Sequence, residues 1–144
     1  EIALSTDVIV GFPGEQEGDF EATLELMRQV RFDDAYMYRY SLRDGTPATR
    51  FPAEEFIDAG TSGRRLETLI ALHRRIQREI QESEVGDVRE VLIERAARST
   101  GDVLGRTESN KVVAFPGGTD QVGNYANVRL VSTTGATFRG ERSA

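Results

Sequence analysis

A strand, a glycine-rich turn and the start of a helix follow one another without a break near the beginning of this 144-residue chain. Residues 6–10 end in the apolar run Val8-Ile9-Val10, which is typical of a strand. Gly11-Phe12-Pro13-Gly14 favours a turn, and an acidic segment with helical spacing begins at Glu15. This order is the strand–turn–helix unit of an α/β protein. The turn after the strand is where such units bind ligands, so it is either a ligand site or a plain structural connection.

The next elements extend this unit into a βαβ crossover. We predict a strand over residues 4–10, a helix over 17–32 and a second strand over Ala35–Ser41. The first strand is apolar on both faces, which is typical of a parallel sheet covered by helices. A helical turn is predicted near 54–59, followed by a long helix from a Thr61 or Ser62 cap to Glu82.

The long helix has two contrasting faces. Its apolar face is predicted to hold Leu66, Leu69, Ile70, His73, Ile76 and Ile80. Its other face is predicted to be solvated and to carry Arg64, Arg65, Arg74, Arg75 and Arg78, with ion pairs to Glu67 and Glu79. His73 is the only histidine, and its position on the apolar face favours a core residue over a functional one.

The sequence pattern changes after residue 84, from helical spacing to short β-prone runs. Short β-prone runs at 88–96, 103–106, 111–115 and 126–132 are separated by turn segments at 99–102, 116–118 and 134–135. This close spacing predicts a small antiparallel β-barrel. We therefore expect two domains, an α/β domain over residues 1–83 and an all-β domain over 84–144.

Composition excludes several kinds of site. The chain has no cysteine and one histidine, so it holds no disulfide and no cysteine-ligated or multi-histidine metal site. The net charge is −6, made of 10 basic against 16 acidic residues over 1–83 and 8 against 8 over 84–144. Any RNA contact must therefore come from a local patch.

No apolar run spans a membrane and no secretory leader is visible, so a cytoplasmic location is expected. The first residue is not Met, which fits a segment of a longer protein.

The first turn does not suit a phosphate. Glu15, Glu17, Asp19 and Glu21 crowd the positive end of the helix, where they would repel an anion. The turn instead suits an uncharged or cationic group such as an adenine or a sulfonium.

Alternating Tyr36, Tyr38 and Tyr40 on the second strand either line a site or pack against the helix. Arg43, just beyond, suits a phosphate or carboxylate unless it is simply solvated.

Cationic and polar residues recur near turns of the predicted barrel, at Arg95, Arg98, Arg106, Asn110 and Lys111. Small barrels bind RNA through such rims, with aromatic residues for stacking. Phe115, Tyr125 and Phe138 are the candidates for stacking, but the module is neutral overall. RNA binding and a purely structural barrel both stay open.

Two separated motifs resemble one enzyme family. Thr6-Asp7-Val8-Ile9-Val10-Gly11-Phe12-Pro13-Gly14-Glu15 is similar to a late-barrel strand of radical S-adenosylmethionine (SAM) methylthiotransferases. Tyr38-Arg39-Tyr40-Ser41-Leu42-Arg43-Asp44-Gly45-Thr46-Pro47-Ala48 resembles their next strand and loop, with Leu42 in place of the usual proline. Residues 84–144 look like the TRAM domain of these enzymes. The run Gly105-Arg106-Thr107-Glu108-Ser109-Asn110-Lys111 is similar to that of the tRNA-modifying branch.

The resemblance implies a fold and an activity. It implies that residues 1–83 are the last βα units of a partial TIM-like radical SAM barrel, and that 84–144 form a tRNA-binding barrel. The whole enzyme would use SAM and two [4Fe-4S] clusters, fed by an electron donor, to add a methylthio group at C2 of N6-dimethylallyl-adenosine next to the anticodon. The cluster ligands would lie outside this chain, which would be inactive alone.

The same resemblance implies roles for individual residues. The SAM side would be lined by Ile9, Gly11, Phe12, Tyr38 and Tyr40. The tRNA anticodon stem-loop would be contacted by Arg43, Arg106, Asn110 and Lys111. The protein is expected to be a monomer that touches no membrane. The alternatives are a methylthiotransferase acting on a ribosomal protein or on threonylcarbamoyladenosine, and a stand-alone RNA-binding module without catalysis.

Overall fold

The computed structural model describes residues 2–98 and 101–143. Two compact units divide within the long helix, with residues 3–76 in one and residues 77–143 in the other. This division falls seven residues before the boundary expected at 84, because the last turns of that helix contact the β-barrel. Among the described residues, no helix is long and apolar enough to cross a membrane.

The first unit contains the predicted βαβ crossover. Strand β1 (Ser5–Val10), helix α1 (Glu17–Val30) and strand β2 (Asp34–Arg39) follow in order. The two strands pair in parallel, from Ser5 opposite Asp34 to Val10 opposite Arg39. The unit is thus α/β, and its place in a larger radical SAM barrel remains a prediction.

The two faces of this sheet differ. Residues Val10 and Ala35 lie on the covered face and are buried, together with Leu24 and Met27 of α1. Ile9, on the opposite face, is 54% exposed. Helix α1 supplies apolar side chains to one face of the two-stranded sheet, and the other face is open in this unit.

The long helix α2 (Ala59–Ser83) begins earlier than predicted. The carboxylate of Asp58 accepts the backbone N–H of Thr61 at 2.9 Å, so Asp58 caps the helix. A hydrogen bond from the Thr61 side chain, together with this bond from its backbone, lowers the pKa of Asp58. Ser62, which the sequence offered as a cap, is instead buried within the helix. Short 3-10 turns at Pro47–Arg50 and Ala53–Glu55 lead into α2.

The second unit is a closed five-stranded barrel. Its strands are β3 (Val88–Ala96), β4 (Asp102–Thr107), β5 (Val112–Pro116), β6 (Tyr125–Thr133) and β7 (Thr137–Arg142), in the order β3-β4-β5-β7-β6. The turn predicted at 99–102 includes Ser99 and Thr100, which lie outside the described residues. Inward-facing apolar side chains fill the interior: Val91, Ile93, Val103, Val113, Phe115, Val128, Leu130 and Phe138.

The barrel departs from the predicted one in two respects. Strand β7 was not foreseen, and it closes the barrel by pairing in parallel with β5. The other four strand pairs are antiparallel. Gly140 is required on β7, because a Cβ there would lie 2.3 Å from a methyl carbon of Val128. A strand in which polar residues surround an internal glycine gives little alternating pattern from which to predict it.

The end of α2 belongs to this second unit. The hydroxyl of Thr133 at the end of β6 donates a hydrogen bond to the side-chain oxygen of Gln81. The side chain of Arg78 lies against the turn at Gly135. The last turns of the helix are therefore fastened to the β6–β7 end of the barrel.

Candidate ligand-side turn and nucleic-acid interface

The turn after β1 is closed by one of its own carboxylates. The backbone N–H of Gly11 donates to Oε2 of Glu15 at 3.0 Å. Gly11 has a φ of +72°, and a Cβ there would lie 2.6 Å from Cβ of Ser62, so only glycine fits. Since Glu15 occupies the N–H that would otherwise face an anion, the turn is not a phosphate cradle. This agrees with the expectation from the sequence.

A buried arginine from α2 completes the turn. Arg65 donates to Oε1 of Glu15 at 2.7 Å and to Oε2 of Glu17 at 3.1 Å. Its side chain is 8% exposed, so the prediction that Arg65 lies on a solvated helix face is wrong. Burial opposes the charge, but the bonds to Glu17 and Glu15 together outweigh it and raise the pKa of Arg65. The sequence shows a cluster of acidic residues at this turn. It does not show that Arg65, 50 residues after Glu15, pairs with them.

An aromatic cluster flanks the same turn. The ring of Phe12 meets those of Tyr40 and Phe51 edge to face, with centroids 5.2 and 5.8 Å apart. Phe12 is 42% exposed and Phe51 is 37% exposed. The hydroxyl of Tyr40 is buried and has no hydrogen-bond partner among the described residues. Such a cluster can hold a flat or cationic group, with the unsatisfied hydroxyl available for a polar contact.

The structure brings some of the predicted ligand-side residues together and leaves others apart. Phe12 and Tyr40 are in contact, and Ile9 lies directly opposite Tyr38 on the exposed face of the sheet. Arg43 is exposed in the loop after β2, where its backbone carbonyl accepts bonds from Thr46. Phe51 was missed, because a lone phenylalanine in an irregular segment carries no pattern.

His73 is buried, as predicted for the apolar face of α2. It is 3% exposed, and its Nε2 lies 3.9 Å from Oδ1 of Asp34. Burial lowers the pKa of His73, with a smaller opposing effect of the Asp34 charge. Neither ring nitrogen of this core histidine has a hydrogen-bond partner among the described residues.

On the barrel, the predicted RNA-contacting residues meet at the turn between β4 and β5. Nη1 of Arg106 donates to the backbone carbonyl of Asn110 at 2.9 Å and to its Oδ1 at 3.0 Å. Nε of Arg106 lies 3.3 Å from a carboxylate oxygen of Glu94 on β3. Asn110 has a φ of +64°, a conformation that asparagine tolerates better than most residues. This network holds the guanidinium in place while it stays 40% exposed.

Lys111 is placed differently from the other two. Its ammonium pairs with the carboxylate of Glu84 beyond the end of α2, and the two side chains are 9% and 17% exposed. The backbone of Lys111 also bonds to Thr107 through both its N–H and its carbonyl. The structure therefore uses Lys111 to hold the turn from Thr107 to Lys111 against the end of the helix.

Of the three aromatic residues in the barrel segment, two are unavailable for stacking. Phe115 and Phe138 are 0% exposed and form the core, which corrects their place among the stacking candidates. Tyr125 is 65% exposed at the start of β6. Arg95, which pairs with Leu104, and Arg98, just beyond the β3–β4 pairing, are both exposed.

The described residues offer no metal centre. Among residues 2–98 and 101–143, no three histidine, cysteine, aspartate or glutamate side chains converge in a way that could hold an ion. With no cysteine in the sequence, this chain supplies no thiolate to an iron–sulfur cluster.

Known proteins similar to this chain include a family of small barrels and a group of tRNA-modifying enzymes. The TRAM domain family matches residues 82–141, which form the barrel and the helix end fastened to it. The chain is 45% identical over 142 residues to a tRNA-2-methylthio-N(6)-dimethylallyladenosine synthase of Chlorobium luteolum, covering 98% of this chain and 32% of that protein. The synthase of Methylobacillus flagellatus is 44% identical with the same coverage. That of Clostridium botulinum is 37% identical over 97% of this chain and 31% of its own length.

Residues 82–141, which include the barrel, match the TRAM domain, and they follow the α/β unit in the chain. Over nearly its whole length the chain is similar to the C-terminal part of tRNA-2-methylthio-N(6)-dimethylallyladenosine synthases, which confirms the resemblance drawn from its motifs. It spans about a third of the length of the curated relatives it matches.

Proposed function

We propose that this chain provides the tRNA-binding end and one side of the SAM pocket of a radical SAM methylthiotransferase. The reaction would add a methylthio group to C2 of N6-dimethylallyl-adenosine next to the anticodon. One observation carries the proposal: the run Gly105–Lys111 forms the end of β4 and the turn after it in a barrel that matches the TRAM domain, in a chain similar over 98% of its length to synthases named for that product. The enzyme would be a cytoplasmic monomer served by an electron donor.

On the RNA side, Arg106 and Asn110 are the contact residues. The Arg106 guanidinium is oriented by Asn110 and Glu94 before any RNA arrives, so little side-chain freedom is lost on binding. It would meet a phosphate, while the Asn110 amide would meet a phosphate or a loop base. Lys111 positions their turn through Glu84. Arg43, exposed in the other unit, would meet the substrate RNA near the reacting base.

On the cofactor side, the residues present fit part of a SAM site. Phe12, Tyr40 and Phe51 offer aromatic faces to an adenine or a sulfonium, and the buried Tyr40 hydroxyl lacks a partner. Gly11 would allow close approach, and Ile9 with Tyr38 would extend the wall across the sheet. When bound beside a reduced cluster, SAM supplies radical and methyl-transfer chemistry. The chain does not fit the two [4Fe-4S] clusters, so catalysis would require ligands from outside it.

The Arg106→Gln variant tests the RNA side. We expect weaker binding of tRNA by the 144-residue chain, with the slope of log affinity against log salt reduced by about 0.7–0.9, the effect of one lost phosphate contact. Arg28→Gln is the matched control, because Arg28 is an exposed arginine of α1 whose partners are Glu21 and Glu25. An unchanged slope in Arg106→Gln would remove this residue from the interface.

The rival proposals predict other results. A methylthiotransferase for a ribosomal protein would show no tRNA affinity. A stand-alone RNA-binding module would bind tRNA, but its residues 3–76 would be a scaffold that unfolds cooperatively by itself. The proposed partial barrel exposes Ile9 and Tyr38 on an open sheet face, so in isolation that segment should aggregate or melt without a sharp transition.

A further inference from the structure

One aromatic side chain on the barrel has no role in the packing described so far. Tyr125 is 65% exposed, although it lies in regular β-structure at the start of β6. Exposed single apolar residues are common and need no explanation by themselves. The residues beside Tyr125 on the neighbouring strands indicate a role for it.

Strand register places Tyr125 in one row with Arg106. Leu92 on β3 pairs with Tyr125 on one side and with Arg106 on the other. Cross-strand partners share a face of the sheet, and this is the outer face, because Val91 and Ile93 beside Leu92 point into the core. Two inter-strand spacings of about 4.8 Å put the tyrosine and the arginine backbones roughly 10 Å apart.

The backbone that presents Tyr125 is fixed. Gly123 donates its N–H to the carbonyl of Ile93 at 2.8 Å, and the carbonyl of Asn124 accepts the N–H of Ile93 at 3.0 Å. Gly123 has a φ of +89°, and no atom outside its own neighbourhood lies within 4 Å of where a Cβ would be. The ring therefore extends from a rigid strand end next to open space, which lowers the entropy cost of stacking a base on it.

Charges on this outer face limit what can bind. Arg95, Arg106 and Arg129 are cationic, whereas Glu90 and Glu94 on β3 are anionic and exposed. A duplex would bring several phosphates against both glutamates. A single unpaired nucleotide needs one cation and one ring, which this row provides.

We propose that the outer face of β6, β3 and β4 binds one unpaired nucleotide of RNA, whose base stacks on Tyr125 and whose phosphate meets Arg106. Leu92 forms the apolar floor between them. The inference rests on the proposed RNA-binding function and adds to it a stacking residue and a preference for unpaired over paired RNA.

The test compares variants of the whole chain in binding an anticodon stem-loop RNA and a fully paired duplex of equal length. Tyr125→Leu should weaken stem-loop binding by about 5- to 150-fold, the usual range for one lost stacked base, whereas Tyr125→Phe should stay within about twofold of the original chain. The salt slope should be unchanged in Tyr125→Leu, because no phosphate contact is removed. Tyr36→Leu, a similarly exposed tyrosine of the other unit, is the control.

The outcomes separate the two claims. Stem-loop binding that persists unchanged in Tyr125→Leu overturns the stacking proposal and leaves the RNA-binding function intact. Equal loss in Tyr125→Leu and Tyr125→Phe, with unchanged circular dichroism, also overturns it, because an aromatic face should suffice. Absence of RNA binding by the original chain contradicts the proposed function, and the stacking proposal with it.

Discussion

Replacing Arg65 by Met should destabilise the α/β unit more than any exposed arginine replacement. The change keeps the length and apolar stem of the side chain but removes the cation that faces Glu15 at 2.7 Å. The side chains of this pair are 8% and 12% exposed, so the loss leaves a buried carboxylate without its counter-charge. Breaking such a pair costs about 3–5 kcal/mol.

The lower end of that range is the better expectation here. Glu15 would keep the hydrogen bond from the Gly11 N–H, which continues to stabilise its charge. The second pair adds little, because the Glu17 side chain is 81% exposed and well hydrated. We therefore expect a loss of about 3 kcal/mol in the free energy of unfolding.

Urea unfolding followed by circular dichroism measures this loss, and hydrogen exchange locates it. Faster exchange should be confined to β1, α1 and the start of α2, with the barrel strands unaffected. Arg28→Met is the control, because both carboxylates that contact Arg28 are more than half exposed, and it should give no resolvable change. Arg65→Met combined with Glu15→Gln should recover part of the loss, since no uncompensated charge remains. A change below about 1 kcal/mol in Arg65→Met would show that the Arg65–Glu15 pair does not stabilise the turn.

Three further predictions concern single positions. Gly11→Ala should lower the free energy of unfolding by roughly 2–4 kcal/mol, because of backbone strain and the clash with α2. Gly63→Ala, which meets open space in the helix, should stabilise the protein by up to about 1 kcal/mol. Equal effects of the two changes in urea unfolding would contradict this prediction. His73 is held neutral by burial, so protonation favours the unfolded chain. Stability should therefore fall as pH drops through the ordinary value of 6.5 toward the lower folded pKa, and His73→Gln should lack this fall when unfolding is compared at several pH values. A parallel fall in both proteins would contradict that assignment. Lys111→Met should destabilise the barrel by leaving Glu84 unpaired, yet keep the salt slope of tRNA binding; a slope reduced by about 0.7–0.9 would make Lys111 a phosphate contact.

Local patterns were sufficient to predict much of the fold. Alternation and turn chemistry predicted β1, β2 and four barrel strands, and helical spacing predicted α1 and α2. These elements have strong internal periodicity, so their type does not depend on distant contacts. Strand β7 was missed, because its inward positions are Phe138 and Gly140 and the glycine contributes no hydrophobic signal.

The candidate sites depend more on distant contacts. Arg65 lies at a helix position next to Arg64, and only the approach of the first turn decides which of the two is buried. Phe51 joins Phe12 through a loop with no periodic pattern. By contrast, Arg106 at the end of β4 and Asn110 in the turn after it are only four residues apart, so their association could be predicted from the sequence.

We propose that this chain is the tRNA-binding end of a methylthiotransferase. Competition binding tests it directly: the labelled chain is bound to whole tRNA, and an isolated anticodon stem-loop carrying N6-dimethylallyl-adenosine is added as competitor. We predict full displacement by this stem-loop, with an affinity that falls as salt is raised. Absence of saturable tRNA binding at low salt, or displacement by a ribosomal protein but not by the stem-loop, would contradict the account.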